Sequence, residues 1–412
     1  MRVSWETGAF YLKILITTDF YLPHITGVTT VVVNEQNMLG QLGHEVRLLT
    51  ISKSPISSYE NGVYFMKGSR IQPLRDSQVA LSYHDPLLAD ILSWSPDIIH
   101  SNNEFFTMGW ARRIAAMLDI PLIHTCHTDF TRYDAQYRIR HTLWDTMMAT
   151  IIKRRVRYCD LLISPSLSHS HMLERYHVKQ PIFVLPSGID LARFQRPVGS
   201  DEIDALRTSL GFSKEHCILV SVCRLASEKR VNKSIDDFFL LSFLEPSARL
   251  LLVGGGPKED SLKKQVADLG LEGLVVFAGA IPSENVHLYY RLSDVFISSS
   301  VRESQGLGFV EAMASSLPVV LREDHSLGFS VEEEGCGAIC ADSHSFVTTL
   351  ASLVADEQKR KEMAEKSKQA SERFSLSHWA ETLVSVCETT LDTCGKGNNR
   401  GHHHQSRNHA VQ

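Results

Sequence analysis

Two glutamates late in the chain flank a turn that contains glycine. They are Glu303 and Glu311, in the stretch RESQGLGFVEAMASSLPVV (302–320), which follows the apolar run DVFISSS (294–300). Where a strand leads into a helix, the backbone N–H groups of the first helical turn can bind an anion. In this stretch these groups belong to Gln305, Gly306, Leu307 and Gly308. Glu311 can accept hydrogen bonds from two vicinal hydroxyls, such as those of a ribose, and Glu303 can face a hexose. The alternative is that Glu311 only complements the helix dipole and that Glu303 is a surface charge.

Two cations lie on one predicted strand-to-helix loop. Arg224 and Lys229 belong to SVCRLASEKRV, directly after the apolar run CILVSV. The forked guanidinium of an arginine and the point charge of a lysine together suit a diphosphate. The alternative is a solvated basic loop, but the position after a strand favours a binding site.

Glycines follow two other predicted strands. Gly27 precedes a predicted helix in TDFYLPHITGVTTVVV, and Gly254 and Gly255 lie in LLLVGGGPKEDSL. A glycine at such a turn lets a phosphate approach the backbone closely. The second stretch is not G-x-G-x-x-G, so the dinucleotide fingerprint is absent. For both stretches a plain tight turn remains the alternative.

One histidine stands at the carboxyl end of a predicted strand. His127 follows IPLIHT, whereas His124 lies within that strand and is expected in the core. A histidine at such an end can donate a hydrogen bond to a sugar hydroxyl or serve as a base. The alternative is a structural role. The sequence contains no convincing D-x-D metal motif and no C-x-x-C pair, so no metal site is predicted.

The elements that position these residues form two series. Short Ile/Val/Leu-rich runs alternate with helical patterns up to about residue 188, and the alternation restarts at CILVSVCRL (217–225). Such runs predict βα units on parallel sheets that are covered on both faces. We therefore predict an α/β protein with two doubly wound Rossmann-like domains facing a cleft. Ligands of such sheets bind outside the carboxyl ends of the strands, where all the candidate residues lie.

The predicted domains have the following bounds. An N-terminal domain spans 1–196 and a C-terminal domain 197–375, with the polar stretch DLARFQRPVGSDEID (190–204) suiting a linker. A final helix at 376–392 is expected to return to the N-terminal domain. The tail from 393 to 412 is polar, glycine- and histidine-rich, and is expected to be disordered.

Composition excludes several classes of protein. The 412 residues are 43% hydrophobic and 22% charged, as in soluble globular proteins, and the net charge of −5 argues against nucleic-acid binding. Eight scattered cysteines indicate reduced thiols rather than a disulfide framework. The N-terminal stretch does not read as a signal peptide, and no run is long enough to span a membrane. A cytoplasmic protein is therefore expected.

In their order along the chain, these residues resemble the retaining glycosyltransferases of family 4, which have the GT-B fold. The matching features are Gly27, the HT at His127, PSGIDLARF (186–194), Arg224 with Lys229, GGGP at 254, FAGAI at 277 and the Glu-x7-Glu pair. The resemblance covers about residues 12 to 392. Thr26, where many members have glycine, and Ser316, in ASS where ASG is more usual, depart from the family pattern.

The resemblance implies a role for each matching residue. Glu311 would bind the nucleotide ribose, and Glu303 and His127 would contact the donor sugar. Arg224 and Lys229 would hold the diphosphate of a UDP-sugar and stabilise its charge as it leaves. Gly27 would meet the same phosphates, and Ala280 and Ile281 would meet the base. The resemblance implies no required metal or other cofactor, and no protein nucleophile.

Within the family, the segments 102–115, 120–133 and 288–315 look most like those of bacterial 1,2-diacylglycerol 3-glucosyltransferases. That resemblance implies a lipid acceptor and a peripheral location on the cytoplasmic face of the membrane. The segment 138–157 supports it, because its cations surround an apolar middle and could lie on an anionic membrane surface. These cations are Arg138, Arg140, Lys153, Arg154, Arg155 and Arg157. The alternative is an ordinary helix packed on the sheet.

Three functions remain open from the sequence. The first is a glucosyltransferase with a lipid acceptor, and the second is a family 4 transferase with a soluble or other acceptor. The third is a nucleotide-sugar-binding protein without activity, which the intact set of charged residues disfavours. A dehydrogenase is disfavoured because no G-x-G-x-x-G follows the first strand of either series. Residue types do not distinguish a glucose donor from a galactose donor.

Overall fold

The structure is a computed structural model that describes residues 2–3, 10–23, 27–52, 54–70, 78–79, 83–127, 141–300, 303, 306–322 and 331–397. The chain divides into two compact units. The first comprises the described residues up to Gly188 together with those from Trp379 onward, and the second is Ile189–His378.

The first unit is built on an eight-stranded sheet. All its neighbouring strands are parallel except the edge strand Ser58–Glu60, which runs antiparallel to its neighbour Val63–Lys67. Alternate residues of the central strand Lys13–Thr17, such as Ile14 and Leu15, belong to different hydrophobic core clusters, so both faces of the sheet are covered. In spatial order the strands are β12 (Ile182–Val184), β11 (Leu161–Ser164), β10 (Leu122–Thr125), β9 (Ile98–Ser101), β3 (Lys13–Thr17), β4 (Glu45–Ser52), β6 (Val63–Lys67) and β5 (Ser58–Glu60).

Two short antiparallel pairs accompany this sheet, β1 (Arg2–Val3) with β2 (Phe10–Tyr11) and β7 (Ser69–Arg70) with β8 (Gln78–Val79). The final helix packs against the sheet through Trp379, Ala380 and Leu383. The helices of the unit are α1 (Gly27–Gln41), α2 (Leu87–Trp94), α3 (Thr107–Leu118), α4 (His141–Val156), α5 (Leu167–Arg175) and nearly all of α14 (Leu376–Gly397).

The second unit is built on a six-stranded, fully parallel sheet. Alternate residues of its central strand Cys217–Val222, such as Ile218 and Leu219, again belong to different hydrophobic core clusters. In spatial order the strands are β15 (Val275–Gly279), β14 (Ala248–Val253), β13 (Cys217–Val222), β16 (Val295–Ser298), β17 (Val319–Arg322) and β18 (Gly337–Cys340).

From β13 to β17 the strands alternate with helices, while two further helices precede β13 and two follow β18. The described residues of this unit also form three single 3-10 turns, Ser227–Lys229, Ser283–Asn285 and Glu372–Phe374. The α-helices are α6 (Leu191–Gln195), α7 (Ser200–Ser209), α8 (Val231–Leu244), α9 (Glu259–Asp268), α10 (Val286–Leu292), α11 (Leu307–Ala314), α12 (Ser343–Ala355) and α13 (Glu357–Ser371).

Each sheet contains a point where the strand order reverses. In the first sheet this point lies between β3 and β9, and in the second it lies between β13 and β16. Crevices at the carboxyl ends of such strands are the usual ligand sites of open α/β sheets. The predicted class, two doubly wound α/β domains, is confirmed.

The observed boundaries differ from the predicted ones in two places. The stretch 190–204 is not a linker, because α6 and α7 occupy it and Leu191 and Phe194 are buried in the core of the second unit. Residues 189–196, expected in the first domain, therefore belong to the second unit. The last helix continues past 392 to Gly397, so residues 393–397 are helical, and the rest of the tail lies outside the described residues.

Candidate functional site

The strongest candidate site of the second unit lies where its strand order reverses. Lys229 ends the 3-10 turn that follows β13, and Glu303 follows β16. The Nζ of Lys229 lies 2.5 Å from Oε1 and 2.7 Å from Oε2 of Glu303. Both side chains are partly buried, at 22% and 12% exposure, so solvent screens the pair less than it would at the surface. The structure therefore brings together a cation and a carboxylate that the sequence predicted for one site.

The second carboxylate, Glu311, lies on α11, which begins at Leu307. Gly306 precedes it with φ of 71°, a left-handed conformation that glycine adopts without strain. Tyr290 donates a hydrogen bond of 2.9 Å to Glu311 Oε2. Burial raises the pKa of Glu311, while that hydrogen bond and the charge of Arg193 lower it. Gln305 lies outside the described residues.

Arg224 lies on the same loop as Lys229 and is exposed, so its guanidinium is accessible to a ligand. Ala280, also exposed, follows β15, and the neighbouring Ile281 packs against the core of the unit. All three residues follow carboxyl ends of strands in this sheet. The base contact proposed for Ala280 and Ile281 is compatible with these positions.

Of the two predicted glycines after β14, one has a structural explanation. Gly254 has φ of +135°, and a Cβ there would lie 2.0 Å from the carbonyl oxygen of Cys223. At Gly255 the nearest atom to an added Cβ would be the Ala280 Cβ, at 3.5 Å. Gly254 is therefore required by the close approach of two loops, whereas Gly255 has room and can face a ligand.

In the first unit, Gly27 and His127 flank the point where the strand order reverses. Gly27 begins α1, and no atom of the described residues lies within 4 Å of where its Cβ would be. His127 follows β10, and its Nε2 lies 2.7 Å from Oδ1 of Asn102. Asn102 is fixed at the end of β9 because its backbone N–H donates to the carbonyl of Thr17 at 2.8 Å.

The imidazole of His127 is neutral at ordinary pH. Burial, followed by the charges of His100, His124 and His169, lowers the pKa of His127 to about 3. This pKa makes His127 a poor base near pH 7, so of the two predicted uses the hydrogen bond is favoured.

A small cavity lies beside His127. It has a volume of about 10 Å³, and Asn102, Thr125 and Ser187 supply its other polar groups. Trp379 and Leu383 of α14 form part of its apolar wall.

Among the described residues, Glu104, His124 and Cys126 form the group whose atoms could hold a metal ion. Their ligand atoms lie within 4.8 Å of one another and all three residues are buried. Burial, with Glu104 and Cys159, raises the pKa of the Cys126 thiol well above its ordinary value. A metal would have to displace that proton, so this group is a weak candidate. His124 lies in the core, as predicted for a residue within the strand.

The cations predicted to contact a membrane lie partly on α4. Its apolar residues Trp144, Met148, Ile152 and Val156 are buried in the core of the first unit. Lys153, Arg154 and Arg157 are exposed, whereas Arg155 is partly buried and reaches the carbonyl oxygen of Phe105 at 3.4 Å. These buried apolar residues are therefore not available to lipid, whereas Leu143 and Met147 of the same segment are exposed. Arg138 and Arg140 lie outside the described residues.

None of the described helices combines the length and apolar character that crossing a bilayer requires.

Three residues near the sites were not predicted. Asn102 follows β9, so the rule that selected His127 could have selected it. Glu35 lies on the face of α1 that buries Val32 and Leu39, and a carboxylate at a buried helical position is itself a signal. Tyr290 belongs to an ordinary apolar pattern in α10, and nothing in the sequence marks it as a partner of Glu311.

Two family models match most of the chain between them. The model described as Glycosyltransferase Family 4 matches residues 25–193. The model described as Glycosyl transferases group 1 matches residues 202–370. The two matches fall on the two halves of the chain in which the two sheets lie.

Two curated relatives carry the name alpha-monoglucosyldiacylglycerol synthase. That of Acholeplasma laidlawii is 28% identical over 403 residues, which cover 94% of this chain and 99% of the relative. That of Streptococcus pneumoniae is 28% identical over 341 residues, which cover 82% of this chain and 77% of the relative.

The fold is similar to that of HepE from Anabaena, whose structure was solved in complex with UDP and glucose. The similarity has a TM-score of 0.67 at 18% identity and covers 92% of this chain and all of that one. The solved structures that this fold resembles are GT-B glycosyltransferases. The family matches, the relatives and the two doubly wound sheets agree, and the chain belongs to the GT-B glycosyltransferases of family 4.

Proposed function

We propose that the protein is a retaining hexosyltransferase that moves glucose from UDP-glucose to a diacylglycerol-type lipid, giving an α-glycosyl lipid at the cytoplasmic face of the membrane. The observation that carries the nucleotide-sugar part is the arrangement after β13 and β16. There Lys229 and Glu303 form a close pair, and Glu311 lies on the helix that follows. The lipid part is supported by the two curated relatives and their names.

In this proposal the second unit binds the donor. Glu311 accepts hydrogen bonds from the ribose, and Ala280 and Ile281 lie against the base. The diphosphate lies near the N-terminus of α11 and the cations Arg224 and Lys229. Glu303 contacts the hexose.

Bond cleavage is driven by electrostatic stabilisation. As the glycosidic bond to the diphosphate breaks, the sugar gains oxocarbenium character and negative charge grows on the phosphate. Lys229, Arg224 and the N–H groups of α11 stabilise that charge, which is the largest contribution of many active sites. The acceptor hydroxyl attacks from the face that the phosphate leaves, and the phosphate takes the hydroxyl proton. The configuration at the anomeric carbon is thereby retained.

The first unit contributes two donor contacts and the acceptor side. Gly27 meets the donor phosphates, and His127 bonds the donor sugar. The exposed cations Lys153, Arg154 and Arg157 face the anionic membrane, where the lipid acceptor resides.

A transfer assay with the purified protein tests the proposal. Radiolabelled UDP-glucose and, separately, UDP-galactose are supplied with mixed anionic micelles that contain diacylglycerol, and the lipid product is analysed by NMR for its anomeric configuration. The expected result is an α-glucosyl lipid formed from UDP-glucose alone. Label that appears only in added soluble acceptors, such as sugar phosphates or inositol phosphate, would overturn the lipid acceptor. A β-linked product would overturn the retaining mechanism.

A further inference from the structure

A buried carboxylate lies at the centre of a hydrogen-bonded chain at the strand ends of the first sheet. Glu35, fully buried on α1, contacts the Nδ1 of His100 with one oxygen and accepts a hydrogen bond of 3.1 Å from Nδ2 of Asn102 with the other. The Nε2 of His100 lies 2.7 Å from Oγ1 of Thr125. Asn102 in turn contacts His127. One carboxylate thus reaches, through two intermediates, two residues that line the same cavity.

The donors and acceptors in this chain follow from the chemistry of the groups. Only Nδ2 of Asn102 carries hydrogens, so the carboxylate of Glu35 fixes which end of the amide faces it. The Oδ1 of Asn102 then faces His127, and an acceptor at that position requires a hydrogen on the Nε2 of His127. A neutral imidazole carries a single N–H, so with the hydrogen on Nε2 the Nδ1 keeps its lone pair.

Stability alone is a poor reason for this carboxylate. Its helical neighbours on the same buried face, Val32 and Leu39, are apolar. Buried charged groups are costly to desolvate, and well-packed apolar residues often replace them without loss of stability. This hydrogen-bonded chain of side chains also lies at the point between β3 and β9 where the strand order reverses, which is where such sheets bind ligands.

We propose that Glu35 is a positioning residue that, through Asn102, holds His127 as the Nε2–H tautomer, so that Nδ1 accepts a hydrogen bond from a hydroxyl of the substrate sugar. This inference rests on the transferase function proposed above. It makes His127 a hydrogen-bond acceptor, where the sequence indicated a donor or a base. The second branch, through His100, holds Thr125 at the cavity in the same way.

Nitrogen-15 NMR of the histidine-labelled full-length protein tests the inference without any substrate. In the wild type, His127 is expected to be the Nε2–H tautomer from pH 5 to pH 8, with its signals assigned by a His127→Gln variant. Glu35→Leu removes both carboxylate oxygens of residue 35 and keeps a side chain of similar size. The amide of Asn102 is then free to turn, so His127 is expected to populate both tautomers. The variant is also expected to lower kcat by about 10- to 100-fold, the range seen when the hydrogen-bond partner of a metal-ligating histidine is removed.

The matched control is Asp19→Asn. Asp19 is a buried carboxylate of the same unit, but it accepts its hydrogen bonds from Phe106 and from Thr107 at 2.7 Å. The control is expected to leave the His127 tautomer unchanged. A folded Glu35→Leu protein in which His127 stays purely Nε2–H would overturn the inference, whether or not transfer to lipid is observed. Absence of transferase activity with the expected tautomers would instead count against the proposed function alone.

A second variant keeps the test decisive if Glu35→Leu does not fold. Glutamine at position 35 offers one acceptor and one donor where glutamate offers two acceptors. In Glu35→Gln the amide nitrogen must face either Nδ1 of His100 or the side chain of Asn102. In the first case His100 must exchange its tautomer, and in the second Asn102 turns and His127 must exchange its tautomer. A spectrum in which neither histidine changes would contradict the proposed connection.

Discussion

At the level of single residues, the pair of Lys229 with Glu303 explains how the lysine that we propose as a phosphate ligand is kept in place without its donor. The carboxylate holds the ammonium group near the end of β13 and balances its charge. A diphosphate that arrives beside the pair brings a stronger negative charge to the same lysine. In the proposed reaction, the charge of Lys229 is then available to the leaving group as the glycosidic bond breaks.

Lys229→Met is expected to lower turnover by about 10²-fold or more, because it removes a charge that stabilises the leaving diphosphate. Initial transfer rates at saturating UDP-glucose measure the effect. The matched control is Lys214→Met, which removes an exposed lysine of the same unit that pairs with Asp204 at 2.8 Å. Turnover of the Lys229 variant equal to that of the control would remove Lys229 from the site.

At the level of elements, the loop after β14 shows that adjacent glycines can have different tasks. Gly254 N donates to the carbonyl of Gly279 at 2.8 Å, and the N–H of Leu225 donates to Gly255 at 3.0 Å. These bonds bring the loops after β13, β14 and β15 together at one end of the sheet. Gly254 allows that approach because it has no side chain and a positive φ.

Gly254→Ala is expected to lower the free energy of unfolding by about 3 kcal/mol or more, since left-handed backbone strain alone costs about 1–3 kcal/mol and the Cβ also meets a carbonyl oxygen. Urea denaturation measures the change. Gly255→Ala serves as the control and is expected to stay within about 0.5 kcal/mol of the wild type, as substitutions without a clash do. Equal stability of the two variants would contradict the close approach at Gly254.

The sequence predicted the strands and helices better than it predicted the side-chain contacts between them. Apolar runs such as KILIT and ARLLLV are continuous because each strand is buried on both faces, so they could be recognised one at a time. The pair of Glu303 with Lys229 could be anticipated because both residues follow strands. The contact of Glu35 with Asn102 could not, because it depends on how α1 packs across β3 and β9. That packing is a property of the folded sheet, and no local pattern encodes it.

At the level of the whole molecule, the proposed membrane binding does not depend on the net charge of −5. It depends on a local surface, because attraction to anionic lipid falls off within a Debye length. On α4 the exposed residues Leu143 and Met147 share a helix face with Arg154, since positions four and seven apart lie on one side. This face offers both charge and some apolar area, although the opposite face of the helix is committed to the core.

Replacing Lys153, Arg154 and Arg157 together by glutamine is expected to weaken binding to anionic vesicles on the order of 10²-fold or more, at about 1 kcal/mol for each cation near the surface. Co-sedimentation with vesicles of graded anionic lipid content measures the loss. Hydrolysis of UDP-glucose should stay unchanged, because none of these three residues is among those proposed to contact the donor. The matched control replaces Lys361, Lys366 and Lys368, three exposed lysines of α13, and is expected to bind vesicles as the wild type does. If both triple variants lose binding equally, attraction is set by overall charge and α4 is not the membrane contact.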